Sequence, residues 1–349
     1  MDLGQLRLRD YRPRPRLRLP EHLVPRASAA AIDAHAHLGR WLTEGWAVPD
    51  VGALLGVMDA CNVAAIVNLD GRWRVELEAN LDRYDRAHPG RFATCAQLNW
   101  RLLTEPGSTA RLVGSLRQSA AAGARGLKVW KDLGLHVRDE RGGLVMPDDP
   151  RLSDVWDAAG ELGIPVLIHT ADPVAFFDPL DARNERLEEL LQHPDWWFGD
   201  RDRFPSFERL LDAFEGLVAS HPRTTFVGVH LAGNAEDLGW VGRMLDAYPN
   251  LSVDVAARIA ELGRQPRAAR ALIEAHPDRV LFGTDEVPPT AEVYATHFRF
   301  LGTEDEHFSY SNEDVPPQGR WAISGLGLAG EVLEAVYATN ARGVFPSLA

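Results

Sequence analysis

The sequence is poor in the features that mark several protein classes. Only two of its 349 residues are cysteine, Cys61 and Cys95, and both lie in apolar segments, which predicts buried free thiols rather than a disulfide framework. No apolar run approaches the roughly 20 residues that a membrane-spanning helix needs, and the N-terminus lacks the apolar region of a secretory signal. We therefore expect a cytoplasmic protein with no membrane partner.

Positive charge is also scarce. The chain has 37 Lys and Arg against 50 Asp and Glu, a formal net charge of −13, which argues against a nucleic acid as the main partner. A local basic pocket remains compatible with this balance, so we expect a small-molecule substrate. The length permits two average domains or one large α/β barrel, and a hydrophobic content of 45% is sufficient for a large core.

The first 26 residues differ from the rest of the chain in composition. Arginine alternates with leucine and proline in this stretch, a pattern that favours extended structure over a helix. We interpret residues 1–28 as an arm that packs over the barrel or over a neighbouring subunit of a homo-oligomer. Residues 29–349 are then expected to form one barrel domain.

After the arm, eight apolar runs alternate with segments of helical spacing. The runs cover residues 30–37, 64–70, 91–100, 124–131, 165–170, 225–230, 251–256 and 280–285. Eight strand–helix repeats with nearly continuous apolar strands predict a (β/α)₈ TIM barrel. A doubly wound sheet is less consistent, because the first run leads into HAHLGRW rather than a glycine-rich phosphate loop. Long interruptions at 171–205 and 286–321 would lie on the active-site face.

Polar residues capable of binding metal occur where these runs end. His35 and His37 are separated by one residue, so on a strand they would project from the same face. His169, His230 and Asp285 end the fifth, sixth and eighth runs. Each alone is compatible with a structural role, as a hydrogen-bonded histidine or a helix cap. Because strand ends of a barrel converge on one mouth, the combination favours a divalent metal site.

Other residues are expected near this mouth. Lys128 falls in the fourth run, where it could form an ion pair or contact substrate, and Lys131 is the alternative lysine on the following loop. We assign Trp130, Arg72 and Asn99 to a substrate pocket, since an aromatic wall with an arginine suits a planar or carboxylated molecule. Asp70 and Asp254 share the inward polar parity of their strands and are candidates for hydrogen bonds to metal-ligating side chains.

The order of these motifs, from IDAHAH to YATNARGVF, resembles the metal-dependent amidohydrolase superfamily. It looks closest to the branch of aminocarboxymuconate-semialdehyde decarboxylase type. The resemblance implies that His35, His37, His169 and Asp285 hold one zinc or manganese ion, while His230 handles protons or substrate. In two-metal relatives a carbamylated lysine bridges the ions, and Lys128 stands near that place.

The expected chemistry is metal-assisted hydrolysis. A bound divalent ion lowers the pKa of water toward ~7, and Asp285 would accept its proton, with His230 as a second proton-transfer group. The predicted substrate is a small amide, ester or lactone. A decarboxylase acting on an aromatic or dienoic acid is the alternative, and a barrel that has lost catalysis is a third class, which the complete set of candidate ligands disfavours.

Overall fold

A computed structural model describes residues 3–7, 10–105 and 107–348. Its eight parallel strands are β1 Ala31–Ala36, β2 Val63–Asn68, β3 Phe92–Thr94, β4 Leu127–Val129, β5 Val166–Ile168, β6 Phe226–Gly228, β7 Leu251–Asp254 and β8 Val280–Leu281. They pair in the order β1-β2-β3 and β4-β5-β6-β7-β8. Parallel bridges Ala96↔Leu127 and Ala36↔Glu286 join the two sheets at both seams. The strands therefore close into the predicted (β/α)₈ barrel.

Helices follow the strands and cover the outside of the barrel. They are α1 Val51–Cys61, α2 Val75–Leu81, α3 Ser108–Ala122, α4 Asp132–Leu135, α5 Ser153–Leu162, α6 Leu187–Gln192, α7 Phe207–Ser220, α8 Val229–Ala232, α9 Leu238–Ala247, α10 Ile259–Arg264, α11 Pro266–Ala275, α12 Ala291–Gly302, α13 Gly330–Glu334 and α14 Asn340–Val344. The short segments α4 and α8 contain residues with non-helical backbone angles.

Two layers of apolar side chains stabilise the barrel. One cluster takes alternate residues of several strands, among them Val67, Leu167, Val227 and Leu281, all fully buried, and fills the barrel interior. The larger cluster lies between strands and helices. This division follows from the strand period of two, in which neighbouring side chains point to opposite faces. Cys61 and Cys95 are buried and unpaired, which confirms that prediction.

Most strands are shorter than the apolar runs that predicted them. The third run extended to residue 100, but β3 ends at Thr94. A 3₁₀ helix begins at Trp100, and the Asn99 side chain caps it by accepting a hydrogen bond from Arg101 N at 3.2 Å. Asn99 therefore serves as the N-cap of this helix rather than as a strand residue. The polar residues of the mouth therefore lie mainly on loops just beyond the strands.

The segment 286–321 is not a continuous loop. It contains α12, whose first turn is capped by the Thr290 hydroxyl accepting from Val293 N at 3.3 Å. The long interruption after the eighth strand thus includes a helix, because Tyr294, Phe298 and Leu301 recur at helical spacing and are fully buried. The first long interruption, 171–205, carries only short helical turns and α6.

The N-terminal arm follows the surface without helix or strand from Tyr11 to Ala30, and most of its residues are exposed. It is attached through a hydrogen bond from His22 N to Asp305 Oδ2 at 2.8 Å and one from Arg320 to the Tyr11 carbonyl at 2.9 Å. Residues 1–2 and 8–9 of the predicted arm lie outside the described residues. Among the helices that are described, none combines the length and apolar character needed to cross a membrane.

Candidate metal centre and adjoining cavity

His35 lies at the centre of the polar cluster at the barrel mouth. Its ring is fully buried, with Nδ1 2.8 Å from Asp254 Oδ2 and Nε2 2.9 Å from Asp285 Oδ1. Gly283 makes this position available, because a Cβ at residue 283 would lie 2.8 Å from the His35 Cβ. The hydrogen bond to Asp254 orients the ring so that Nε2 faces Asp285.

His37 repeats this arrangement one residue further along. Its Nδ1 is 2.7 Å from Asp70 Oδ1 and its Nε2 is 3.0 Å from Asp285 Oδ1. Burial alone would lower the pKa of this imidazole, but Asp70 and Asp285 outweigh it and raise the pKa to about 9. Asp70 also accepts a hydrogen bond from Trp41 Nε1 at 2.9 Å. The two carboxylates on either side of His37 thus create a site that favours positive charge.

His230 reaches the same carboxylate from α8, directly after β6. Its backbone N donates to Asp254 Oδ1 at 2.7 Å, and its Nδ1 is 2.8 Å from the Ala256 carbonyl. Since a carbonyl only accepts, Nδ1 carries the proton and Nε2 is the free acceptor, 3.8 Å from Asp285 Oδ2. Burial, with smaller contributions from His169 and Arg258, holds the pKa of His230 well below its usual value.

Asp285 connects the three histidines. Its backbone is in the left-handed region, with φ at 67°, and its N donates to the His35 carbonyl at 2.7 Å. Burial would raise the pKa of this carboxyl, but His35 and His230 outweigh it and hold the pKa well below the ordinary value. Left-handed backbone at a non-glycine residue costs energy and is concentrated at functional sites; His230 shares it, with φ at 59°.

His169 is placed differently from the other predicted ligands. Its ring packs against that of His230, with centroids 4.5 Å apart, but its Nε2 is 3.3 Å from Asp172 Oδ1. Asp172 in turn accepts from Lys131 at 2.5 Å. Burial chiefly lowers the pKa of His169 to about 4. Its role as a metal ligand therefore stays a prediction. The sequence analysis did not identify Asp172 as a partner of His169. Its position three residues after His169 is the signal that could have indicated this contact.

Lys128 is buried beside the histidines. Its Nζ is 3.5 Å from His35 Nε2 and 5.2 Å from the centre of the Trp130 ring. Burial lowers the pKa of the ammonium group, against the opposing effect of Asp285. A lysine in this state can contact a substrate anion or act after modification, so both interpretations of Lys128 stay predictions.

The donor set fits a divalent cation. Two groups of three side chains have ligand atoms within 4.8 Å of one another, His35 with His37 and Asp285, and His35 with His230 and Asp254. In each of the three imidazoles, Nδ1 is held by an oxygen while Nε2 faces Asp285. Carboxylate or carbonyl partners on the outer nitrogen are the usual means of orienting metal-ligating histidines.

A cavity of about 500 Å³ adjoins this centre through Lys128 and Trp130, and we call it the aromatic cavity. The three residues predicted to bind substrate, Trp130, Arg72 and Asn99, all line it. The Arg72 guanidinium lies 4.7 Å from the Trp41 ring and 4.3 Å from the Trp73 ring. Among the described residues it forms no direct ion pair, although Asp70, Glu76 and Asp132 act on its charge from nearby. Because Arg72 lines the cavity, its guanidinium can contact a ligand.

Comparisons with known proteins agree with this architecture. The chain is similar to 2,6-dihydroxybenzoate decarboxylase from Rhizobium, at 17% identity over 91% of this chain and 99% of that chain, with a TM-score of 0.55. It is similar to 5-carboxyvanillate decarboxylase from Sphingomonas paucimobilis, at 16% identity over 91% and 99%, with a TM-score of 0.52. An amidohydrolase from Burkholderia multivorans gives 16% identity over 91% and 99%, with a TM-score of 0.51.

These similarities establish the shared fold and do not identify a reaction. No curated protein sequence matches the chain. The family model described as amidohydrolase matches residues 32–346, from β1 to the C-terminal helical turn. That match contains the described barrel and all the side chains around Asp285, and the chain therefore belongs to the amidohydrolase family.

Proposed function

We propose that this protein is a metal-dependent hydrolase of a small amide, ester or lactone, with zinc as the first candidate metal and manganese as the second. The observation that carries the proposal is the position of Asp285, whose Oδ1 is 2.9 Å from His35 Nε2 and 3.0 Å from His37 Nε2. A divalent ion bound by these groups would supply an activated water and polarise a carbonyl. His169 is kept as the fourth proposed ligand.

The side chains divide the remaining work. Asp285 is the proposed general base, since its depressed pKa keeps it ionised and its side chain is 26% exposed toward the mouth. His230 presents an unprotonated Nε2 at 3.8 Å from Asp285 Oδ2, where it can accept a proton and return it to a leaving group. The aromatic cavity would hold the substrate through Trp130, with Arg72 and Asn99 at its rim.

Decarboxylation of an aromatic acid is the second candidate. Trp130, Trp41 and Arg72 line the aromatic cavity, a composition suited to an aromatic carboxylate. We include in this second candidate our proposal that the chain belongs to the aminocarboxymuconate-semialdehyde decarboxylase branch. In such a reaction Asp285 or His230 would donate a proton to a ring carbon as carbon dioxide leaves.

Metal analysis and a substrate screen test the proposal together. We expect about one divalent ion per chain in protein purified without chelators. The reason is that the imidazoles of His35, His37 and His230 all face one carboxylate, that of Asp285. The protein should then be assayed against aromatic amides, esters, lactones and carboxylated aromatics. Release of carbon dioxide in proportion to product would favour the decarboxylase. Protein that takes up no metal on titration would refute both candidates, and two ions per chain would favour a carbamylated Lys128.

A further inference from the structure

A second cavity borders Asp285, and its lining does not include Lys128. Its volume is about 460 Å³, and it is lined by Asp285, Glu286, Glu292, His297 and Glu313 together with neutral residues. We call it the acceptor cavity. None of its lining residues is lysine or arginine, whereas Arg72, Arg101, Arg138 and Lys128 line the aromatic cavity together with a single carboxylate, Asp132. The candidate metal centre therefore adjoins one cavity whose ionisable side chains are mainly basic and another whose ionisable side chains are mainly acidic.

The acceptor cavity offers hydrogen-bond acceptors without partners. Among the described residues, the Glu286 carboxylate makes no hydrogen bond or ion pair, although its backbone N and O are both bonded. His297 is 5% exposed, and its Nδ1 donates to the Val293 carbonyl at 2.8 Å. Its Nε2 is consequently an acceptor, and it is buried with no partner. A buried polar atom left in this state costs free energy unless a ligand or water satisfies it.

The chemistry of these groups selects an organic cation as the ligand. Carboxylates and an unprotonated imidazole accept hydrogen bonds, so they suit a group with several N–H donors and positive charge, such as a primary ammonium. A metal ion is a poorer fit. Among the described residues, the groups with three ligand atoms within 4.8 Å of one another all include His35 and none includes Glu286, Glu292 or His297.

We propose that the two cavities hold the two halves of one substrate, an amide whose acyl half is an aromatic acid and whose amine half carries a protonated amino group. This inference rests on the proposed hydrolase function. The acyl half would lie in the aromatic cavity near Arg72 and Trp130. The amine half would extend past Asp285 into the acceptor cavity, with its ammonium group at Glu286 and His297.

Hydrolysis of such an amide matches this distribution of charge. Water oxygen bonds to the acyl carbon, the carbon–nitrogen bond breaks, and both protons of the water are transferred to the leaving nitrogen. The products are a carboxylate, which the basic aromatic cavity accommodates, and an ammonium, which the acceptor cavity accommodates. Decarboxylation of an aromatic acid generates no cation and would leave the acceptor cavity without a use.

Binding of simple probes to the metal-loaded protein tests the acceptor cavity. We expect 2-phenylethylammonium to bind at least about 10-fold more tightly than its neutral analogue 2-phenylethanol, the range for a hydrogen bond between charged groups. The double substitution Glu286→Gln and Glu292→Gln should remove that preference. Glu331→Gln, at an exposed position in α13, is the matched control and should retain it. Equal affinity for the two probes in the wild-type protein would overturn the proposal.

A second measurement separates this inference from the proposed function. Hydrolysis of N-(2-aminoethyl)benzamide is compared with that of N-propylbenzamide, and kcat/KM should be at least about 10-fold higher for the cationic amide. If both amides are cleaved at equal rates, hydrolysis stands and the cation preference is refuted. If neither amide is cleaved while the ammonium probe still binds preferentially, the acceptor cavity stands as a cation site and the assignment of the two halves of one amide is refuted. The screen of esters, lactones and other amides then decides the proposed hydrolase function separately.

Discussion

Asp254 shows how one buried carboxylate can position two histidines with different proposed roles. Its Oδ2 is 2.8 Å from His35 Nδ1, and its Oδ1 accepts from the backbone N of His230 at 2.7 Å. The first contact orients a proposed metal ligand, and the second holds the strained backbone of a proposed acid–base group. The geometry at the barrel mouth therefore depends on residues that need not touch substrate.

We expect Asp254→Asn to weaken metal binding by roughly 10- to 100-fold, the usual effect of removing a carboxylate that supports a ligating histidine. Asparagine preserves the shape of the side chain but not its charge. Affinity is measured by competition with a chelator of known strength, and Glu331→Gln serves as a neutral surface control. An unchanged affinity would mean that the contact between Asp254 and His35 is structural only.

Substitutions at the neighbouring histidines should distinguish metal ligands from the acid–base group. His35→Asn and Asp285→Asn should lose metal and activity together, because each removes a proposed ligand. His230→Asn should keep most of its metal while turnover falls by roughly 10² or more, the range for a lost acid–base group.

Metal content and turnover must be measured on the same preparations. Equal loss of metal from His230→Asn and His35→Asn would make His230 a ligand. The same comparison with His169→Asn tests the predicted fourth ligand, whose Nε2 now faces Asp172 at 3.3 Å.

At the level of secondary structure, α12 contributes to the acceptor cavity through a buried histidine. His297 lies on its inner face, with its ring 6.0 Å from that of Phe282. Burial lowers the pKa of His297 from 6.5 to about 4. The unfolded chain therefore takes up a proton near pH 6.5 that the folded protein takes up only near pH 4. The contribution of His297 to stability is present above pH 6.5 and is lost as the pH falls toward 4.

We expect this residue to account for about 3 kcal/mol of the fall in unfolding free energy between pH 7.5 and pH 4, because its pKa is 6.5 in the unfolded chain and about 4 in the folded protein. His297→Phe, which suits the aromatic surroundings, should make the decrease smaller by that amount. Denaturant unfolding at both pH values measures the difference between wild type and variant. An identical pH dependence of the unfolding free energy in the two proteins would show that burial does not lower the pKa of His297.

For the whole molecule, barrel closure brings together residues far apart in sequence. Asp285, just after β8, meets His35 on β1 and His37 just beyond it because Ala36 pairs with Glu286 across the seam. The arm adds a further long-range link, from His22 to Asp305, while Leu17 and Leu23 on it are 63% and 95% exposed. The association of the arm with a second copy of the chain stays a prediction.

Deleting residues 1–26 should lower the melting temperature or dissociate a homo-oligomer, while the metal content stays the same. The reason is that the hydrogen bonds of the arm's described residues go to the segment after α12 and to the end of α1, away from the side chains around Asp285. Thermal unfolding, mass in solution and elemental analysis should be measured on both proteins. If the melting temperature and the mass are both unchanged, the arm has neither role.

The sequence by itself determined the barrel and the main members of its mouth. The eight apolar runs were sufficient because each strand is specified locally, by its own apolar residues and the turn that follows. His35, His37, His230 and Asp285 could be predicted to converge because the ends of barrel strands must meet. The left-handed backbone angles of His230 and Asp285, by contrast, are not encoded in any periodic pattern.

Only the tertiary structure decided which atom of each of these side chains faces the centre of the barrel mouth. His35 and Asp254 are separated by 219 residues, and His37 and Asp70 by 33, so no local pattern could pair them. The same holds for His169, whose Nε2 contacts Asp172, and for the acceptor cavity, which forms where α12 packs beside Asp285. Ring orientation and cavity shape depend on long-range packing and on unusual backbone angles, whereas strand formation depends on neighbouring residues.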